Sequence, residues 1–199
     1  MNKTDKQLLR ERIIASREQI PIEIREGNNV AIVSNLQVLS PYQQADAVLG
    51  YMNFGSEFAS ELWIKKVLSE GKRLALPRVN RHTNHLELYW VEDLEEQLSP
   101  GLWGIREPVV ERCERLGGLN EVEFALLPGV AFTRGGARLG YGGGFYDKLL
   151  AQAAGSGAFS LVLAAAAYGL QIVEQIPQEA TDVKVEWLIT EQETISCSK

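Results

Sequence analysis

The sequence predicts one α/β domain with a mostly parallel central sheet flanked by helices. Three observations carry that expectation. An apolar run at Ala47–Met52, a helical stretch at Ser60–Glu70 and a second run at Lys72–Leu76 make a β–α–β unit, which pairs its strands in parallel. Phe159–Ala166 is apolar but for Ser160, as suits a central parallel strand buried on both faces. The chain has 199 residues, 45% of them hydrophobic, which is enough for one substantial core. A single domain over residues 1–199 is therefore expected.

The elements follow in order. Residues 3–20 read as a helix that Thr4 or Asp5 can cap. Leu8, Leu9, Ile13 and Ile14 mark one face of it, and Lys6, Arg10 and Arg17 sit near another. Taken alone, that basic face reads as solvated. Ile32–Leu39 continues a second helix up to Pro41. Phe54–Glu57 is a loop after the first strand. The helix at Ser60–Glu70 has Leu62, Ile64, Val67 and Leu68 as its apolar positions, and Gly71 ends it. Pro77 stops the next strand. Leu86–Val91 is a strand, Leu94–Gln97 a short turn or helix, and a loop rich in proline and glycine runs through Pro108. Glu123–Leu127 is a strand, Val130–Phe132 is extended, Tyr146–Ala154 is helical and Val185–Thr190 is the final strand.

Composition excludes several classes of function. A net charge of −6 argues against sequence-independent nucleic-acid binding, which needs cations to neutralise phosphates. A local basic pocket on an acidic protein is still compatible with a small anion. Cys113 and Cys197 are far apart and form no CxxC, so neither a zinc site nor a disulfide framework is expected. The polar start and the short longest apolar run, Leu161–Tyr168, predict no membrane partner and a reducing, cytoplasmic setting. A monomer is the expectation. His82 and His85 belong to a polar loop around residues 80–84 and are expected in solvent.

The informative stretch is Thr133–Asp147, in which six of fifteen residues are glycine, between a strand and a helix. Glycine loses more chain entropy on folding than any other residue, so such a cluster needs a reason. One is the close approach of backbone N–H groups to an anion, helped by the positive end of the helix that follows and by the fork of Arg138. The other is a tight turn between strand and helix. There is no Gly-Lys-Ser/Thr ending, so the loop is not a Walker P-loop. Phe145 stands where a dinucleotide fingerprint beginning at Gly140 and Gly142 would want its third glycine.

Leu127-Pro128-Gly129-Val130-Ala131-Phe132, followed by Gly136-Ala137-Arg138-Leu139-Gly140-Tyr141-Gly142-Gly143-Gly144-Phe145-Tyr146-Asp147, resembles the signature of the 5-formyltetrahydrofolate cyclo-ligase family. Further landmarks occur in the same order as in the family: Lys6 to Arg10, Glu57, Leu76-Pro77-Arg78, Gly104-Ile105-Arg106-Glu107-Pro108 and Asp182. The resemblance implies an α/β enzyme that consumes ATP with Mg²⁺ and turns 5-formyltetrahydrofolate into 5,10-methenyltetrahydrofolate. Carried over, it assigns ATP binding to Lys6, Arg10, Arg138, Leu139, Gly140, Tyr141, Gly142, Gly143, Gly144, Phe145 and Tyr146. Arg138 and Lys6 are the catalytic candidates. Asp147 and Asp182 correspond to the Mg²⁺-associated aspartates. Met52, Glu57, Trp103 and Tyr141 are the candidates for the reduced folate, with Trp103 offering either core packing or a flat surface for the pterin.

Two positions depart from the family pattern: Thr133 and Glu186 stand where aspartate is usual. If those aspartates organise metal or loop in relatives, this chain differs in detail. Two alternatives are therefore kept: a nucleotide- or folate-binding protein without turnover, and an ATP-dependent ligase or kinase for another small anion.

Overall fold

The computed structural model describes residues 3–154, 161–179 and 182–197. In chain order the elements are α1 (Lys3–Glu18), α2 (Ile22–Gln37), α3 (Ser40–Gln44), β1 (Ala47–Leu49), α4 (Ser60–Ser69), β2 (Arg73–Asn80) and β3 (His85–Val91). Then come α5 (Leu94–Gln97), β4 (Leu98–Pro100), β5 (Arg106–Pro108), β6 (Phe124–Leu126), β7 (Ala131–Phe132) and β8 (Arg138–Leu139). Last are α6 (Phe145–Ala154), β9 (Val162–Ala166), β10 (Trp187–Ile189) and β11 (Thr194–Ser196). No helix among the described residues is long and apolar enough to cross a membrane.

Seven strands form one sheet in the order β11-β10-β9-β6-β1-β2-β3. β1 pairs in parallel with β2 and β6, β6 with β9, and β9 with β10. β3 and β11 close the two edges antiparallel. The predicted α/β sheet is thus present.

Strand alternation divides the core between the two faces of the sheet. Val48, Phe124, Leu126, Ala164 and Ala166 pack with Ile32, Leu36, Trp63, Ile64 and Val67 of α2 and α4. Ala47, Leu49, Ala125, Ala165 and Ala167 pack with Leu149 and Leu150 of α6 on the other face. A third, smaller cluster joins Ile13 of α1 to Val130, Ala131, Ala137 and Leu139, so α1 is held against the β7–β8 hairpin.

This topology fixes where a ligand can sit. From β1 the chain moves to β2 and β3 on one side, then returns to β6, β9 and β10 on the other. The order therefore reverses between β1 and β6, and ligands of open α/β sheets bind beyond the carboxyl ends of the strands at such a point. The loop after β1 carries Glu57, and the chain after β6 leads into the glycine-rich stretch.

Several expectations are corrected. α2 begins at Ile22, ten positions ahead of the Ile32 start read from the sequence. Pro77 does not end β2: β1 pairs only with Arg73–Ala75, so at Pro77 the strand has β3 alone beside it and a missing N–H is tolerated. The predicted loop before Pro108 contains the antiparallel ribbon β4–β5, and β11 follows the strand read as final. Leu8 and Leu62 are exposed, while Trp63 takes the buried position of α4. Residues 159–160 of the predicted apolar strand lie outside the described residues, and the side chain of Thr4 is not described. Gly71 does end its helix, with φ +74°.

Gly136 turns the β7–β8 hairpin at φ +82°, and a Cβ there would lie 2.2 Å from the Val185 carbonyl oxygen. Gly136 also accepts the Val185 N–H at 2.9 Å, so this contact cannot simply open. Gly136→Ala is expected to destabilise the fold by about 2–4 kcal/mol, combining backbone strain with a steric clash. Urea denaturation measures it as a lowered midpoint.

Candidate active site

Four cations of an otherwise acidic chain converge here. Lys6, Arg10 and Arg17 follow one another at i, i+4 and i+11, which places them on the same side of α1. Arg10 Nε donates to the Gly140 carbonyl at 2.7 Å. Its guanidinium carbon would be 3.7 Å from a Cβ on Gly142, so α1 stacks directly on the glycine-rich turn. Gly142 and Gly144 hold φ of +106° and +64°, which glycine adopts without strain. The turn then opens α6 at Phe145, so it leads directly into the positive end of that helix's dipole.

Arg138 comes from β8, and its side chain is 3% exposed. Nη2 donates to Asp147 Oδ1 at 2.6 Å, and Nη1 donates to the Pro128 carbonyl at 3.1 Å. Nε is buried and has no partner among the described residues. Asp147 lies in the first turn of α6. One ion pair thus ties the end of the β7–β8 hairpin to the start of the helix, across the whole glycine-rich turn. Leu139 is buried in the α1 cluster and offers only its backbone to a ligand.

The opposite wall is the loop after β1. Glu57 is 7% exposed, and its Oε2 accepts the Phe54 N–H at 2.7 Å. Burial pushes the Glu57 carboxyl above the usual carboxylate range, against the lowering effect of the Phe54 amide, Tyr141 and the Arg17 charge. Met52 is buried in the core beside it. Asn29 and Tyr168 brace the loop from behind: Tyr168 Oη donates to Asn29 Oδ1 at 2.8 Å, and Asn29 Oδ1 accepts the Ala59 N–H at 3.2 Å. Burial pushes the Tyr168 phenol up to about 12.

Tyr141 spans the two walls. Its hydroxyl accepts from Arg17 Nη2 at 2.8 Å, and its ring stands edge-on to Phe54 at 6.4 Å. Tyr146 lies close enough for Glu57 to raise its phenol, after the larger effect of burial. Lys6 Nζ donates to Glu179 Oε1 at 3.0 Å and to Asp182 Oδ2 at 3.1 Å, tying α1 to the segment before β10. Burial lowers the Lys6 ammonium, but the hydrogen bonds and charges of Glu179 and Asp182 outweigh it, so the net shift is upward.

The structure brings Lys6, Arg10, Arg138, the glycine-rich turn and Asp147 to one side, with Glu57, Met52, Tyr141 and Tyr146 next to them. Trp103 stands apart at the tip of the β4–β5 ribbon, 65% exposed and with φ +57°. That ribbon touches the carboxyl-terminal part of β2, where the Val79 N–H donates to Glu107 Oε1 at 3.4 Å. The two departures from the family pattern have structural work. Thr133 Oγ1 accepts the Ala137 N–H at 3.1 Å and closes the hairpin that delivers Arg138. Glu186 Oε1 accepts the Leu163 N–H at 3.1 Å near the start of β9, away from the carboxyl ends of the strands.

Sequence reading missed Arg17, Ser56, Asn29 and Tyr168. Arg17 is no part of a solvated face: it is 2% exposed and bonded to Ser56 and Tyr141. Its register with Lys6 and Arg10 was the available signal. The other three act only through contacts distant in sequence.

Comparison with known proteins places this geometry. The profile of the 5-formyltetrahydrofolate cyclo-ligase family matches residues 2–191. A 5-formyltetrahydrofolate cyclo-ligase of Haemophilus influenzae is 30% identical over 183 residues, 84% of this chain and 93% of the relative. One from Mus musculus is 28% identical over 180 residues, 87% of each chain. The NMR structure of Aquifex aeolicus 5,10-methenyltetrahydrofolate synthetase superposes with a TM-score of 0.83 at 31% identity, covering 98% of this chain and 93% of that one. With the family profile matching residues 2–191 and the fold shared with a solved methenyltetrahydrofolate synthetase, the chain belongs to the 5-formyltetrahydrofolate cyclo-ligase family.

Proposed function

We propose that the protein converts 5-formyltetrahydrofolate to 5,10-methenyltetrahydrofolate at the expense of ATP, releasing ADP and phosphate. The carrying observation is the pairing, at one switch point, of a cationic glycine-rich turn with a buried carboxylate wall. The first suits a triphosphate and the second the N–H groups of a pterin.

The chemistry explains why both are needed. A formamide carbonyl is a poor electrophile, and hydroxide is a poor leaving group. The formyl oxygen attacks the γ-phosphorus and ADP departs. N10 then attacks the activated formyl carbon, loses its proton, and phosphate leaves with the former formyl oxygen as the N5–C double bond forms. Such phosphoryl transfer calls mainly for positioning and charge stabilisation. Arg138 and Lys6 serve the γ-phosphoryl, and Arg10 holds the turn whose amides, with those opening α6, cradle the phosphates. Glu57, Met52 and Tyr141 hold the folate, and Trp103 offers its indole face from the ribbon tip.

Mg²⁺ would neutralise the β- and γ-phosphates. No group of three His, Cys, Asp or Glu side chains able to hold a metal occurs among the described residues. Asp147 and Asp182 are hard oxygen donors on separate segments, each already facing a cation. That donor set suits an ion that arrives with the nucleotide and keeps water and phosphate oxygens as most of its ligands. A single domain acting as a monomer completes the reading.

Phosphate release from ATP tests it. It is expected to depend on 5-formyltetrahydrofolate, one phosphate per folate consumed. ATP binding without release would favour a binding protein, and release stimulated by another small anion would favour a different ligase or kinase.

A further inference from the structure

Arg17 is the one buried guanidinium that the chemistry above leaves without a task. It sits in the last turn of α1, 2% exposed. Nε donates to Ser56 Oγ at 3.0 Å and Nη2 to the Tyr141 hydroxyl at 2.8 Å. Those two bonds join the walls of the site, since Ser56 precedes Glu57 and Tyr141 belongs to the glycine-rich turn. Nη1 is buried and has no hydrogen-bond partner among the described residues. A desolvated guanidinium N–H without a partner among the described residues is costly, and an acceptor brought by a substrate would offset that cost.

The cover over this group is a single side chain of the glycine-rich turn. Tyr141 lies over the guanidinium, its ring centroid 6.0 Å from Cζ, and it is 41% exposed. It is flanked by Gly140 and by Gly142 at φ +106°. A ligand that takes Nη1 would have to displace the Tyr141 ring.

We propose that Arg17 is a substrate-binding residue that sets specificity: its open Nη1 takes the carbonyl oxygen of the pterin ring while Glu57 accepts the neighbouring ring N–H groups. This rests on the folate reading above. The chemistry is complementary. One edge of a pterin presents a carbonyl oxygen next to N–H donors. A carboxylate can satisfy only the donors, and the acceptor requires a second group that donates. Arg17 is the cation bonded to the residue next to Glu57, and the two charges already interact. A charged donor and a charged acceptor side by side read the polarity of that edge, which a hydrophobic slot would not.

The test compares 5-formyltetrahydrofolate with its 4-amino-4-deoxy analogue, in which an amine replaces the carbonyl oxygen. Both affinities, and that of ATP, are measured by calorimetry for the wild type, Arg17→Met and Arg17→Lys, alongside melting temperatures. The wild type is expected to prefer the carbonyl form. Arg17→Met should weaken that form by about 10–100-fold and the analogue far less, narrowing the preference by about tenfold or more, while ATP affinity holds. Arg17→Lys, which keeps the charge but lacks the planar fork that reaches separate acceptors from separate nitrogens, should narrow it too and carries the test if Arg17→Met does not fold. If both folates weaken by the same factor, Arg17 only braces the walls and the proposal is wrong. An unchanged preference in a folded variant overturns it equally. A wild type that binds neither folate would refute the folate reading itself, and this proposal with it.

Discussion

Replacing Arg138 by alanine should lower kcat/KM for ATP-dependent turnover by about 10²–10³-fold, the usual cost of removing one preorganised donor from a developing negative charge. Arg138 is buried, reaches the turn from β8, and holds Asp147 and the Pro128 carbonyl with its two Nη groups. Its Nε has no hydrogen-bond partner among the described residues. Alanine removes the cation and also frees Asp147, so the turn loses both charge and shape. Asp147 keeps some access to water, which limits the loss of stability to about 1–3 kcal/mol. Arg138→Lys separates the two effects. It retains a charge without the fork and should recover part of the rate while still failing to bridge Pro128 and Asp147. Steady-state kinetics with folded protein, checked by circular dichroism, gives the comparison.

Glu57→Gln should weaken 5-formyltetrahydrofolate by about 10–100-fold, because the carboxylate proposed to accept ring N–H groups is replaced by a neutral amide. ATP affinity should stay the same, since the site proposed for the phosphates is the other wall. The same variant should be more stable than the wild type at neutral pH. Burial raises the Glu57 carboxyl above its unfolded value, with Tyr51, Tyr141, Tyr146 and Arg17 as its titratable or charged neighbours. A raised carboxyl contributes its full stability below the unfolded carboxylate range and loses it as pH rises through the folded value. Glutamine does not titrate. The melting temperature of the variant should therefore exceed that of the wild type at pH 7, and the gap should close as pH falls below the usual carboxylate range. Thermal melts across pH measure the gap, at roughly 2–4 °C for each kcal/mol. A gap that widens toward acid would contradict this account of Glu57.

Much of the fold was legible because apolar runs and their spacing set it. β1, α4 and β2 emerged from one β–α–β pattern, and Val162–Ala166 from its unbroken apolar sequence. The errors have physical causes. Pro77 looked like a stop, but a strand beyond the end of its parallel neighbour has a free side on which proline costs little. β4 and β5 are each too short for alternation to be read and are held by each other. α2 has little amphipathic contrast at its start, where Ile22, Ile24 and Val30 are exposed, so its apolar stripe becomes clear only from Ile32. In the site, the turn and Arg138 were legible from composition and signature. Arg17 was not, because a basic residue in helical register with Lys6 and Arg10 reads as solvated unless one knows that Ser56 and Tyr141 lie over it.

The most direct test of the account follows the absorbance of 5,10-methenyltetrahydrofolate when purified protein is mixed with 5-formyltetrahydrofolate and Mg²⁺, with and without ATP. Product is expected only with ATP, and is expected to collapse in Arg138→Ala. Product that forms at the same rate without ATP, or that survives the loss of Arg138 undiminished, would contradict it.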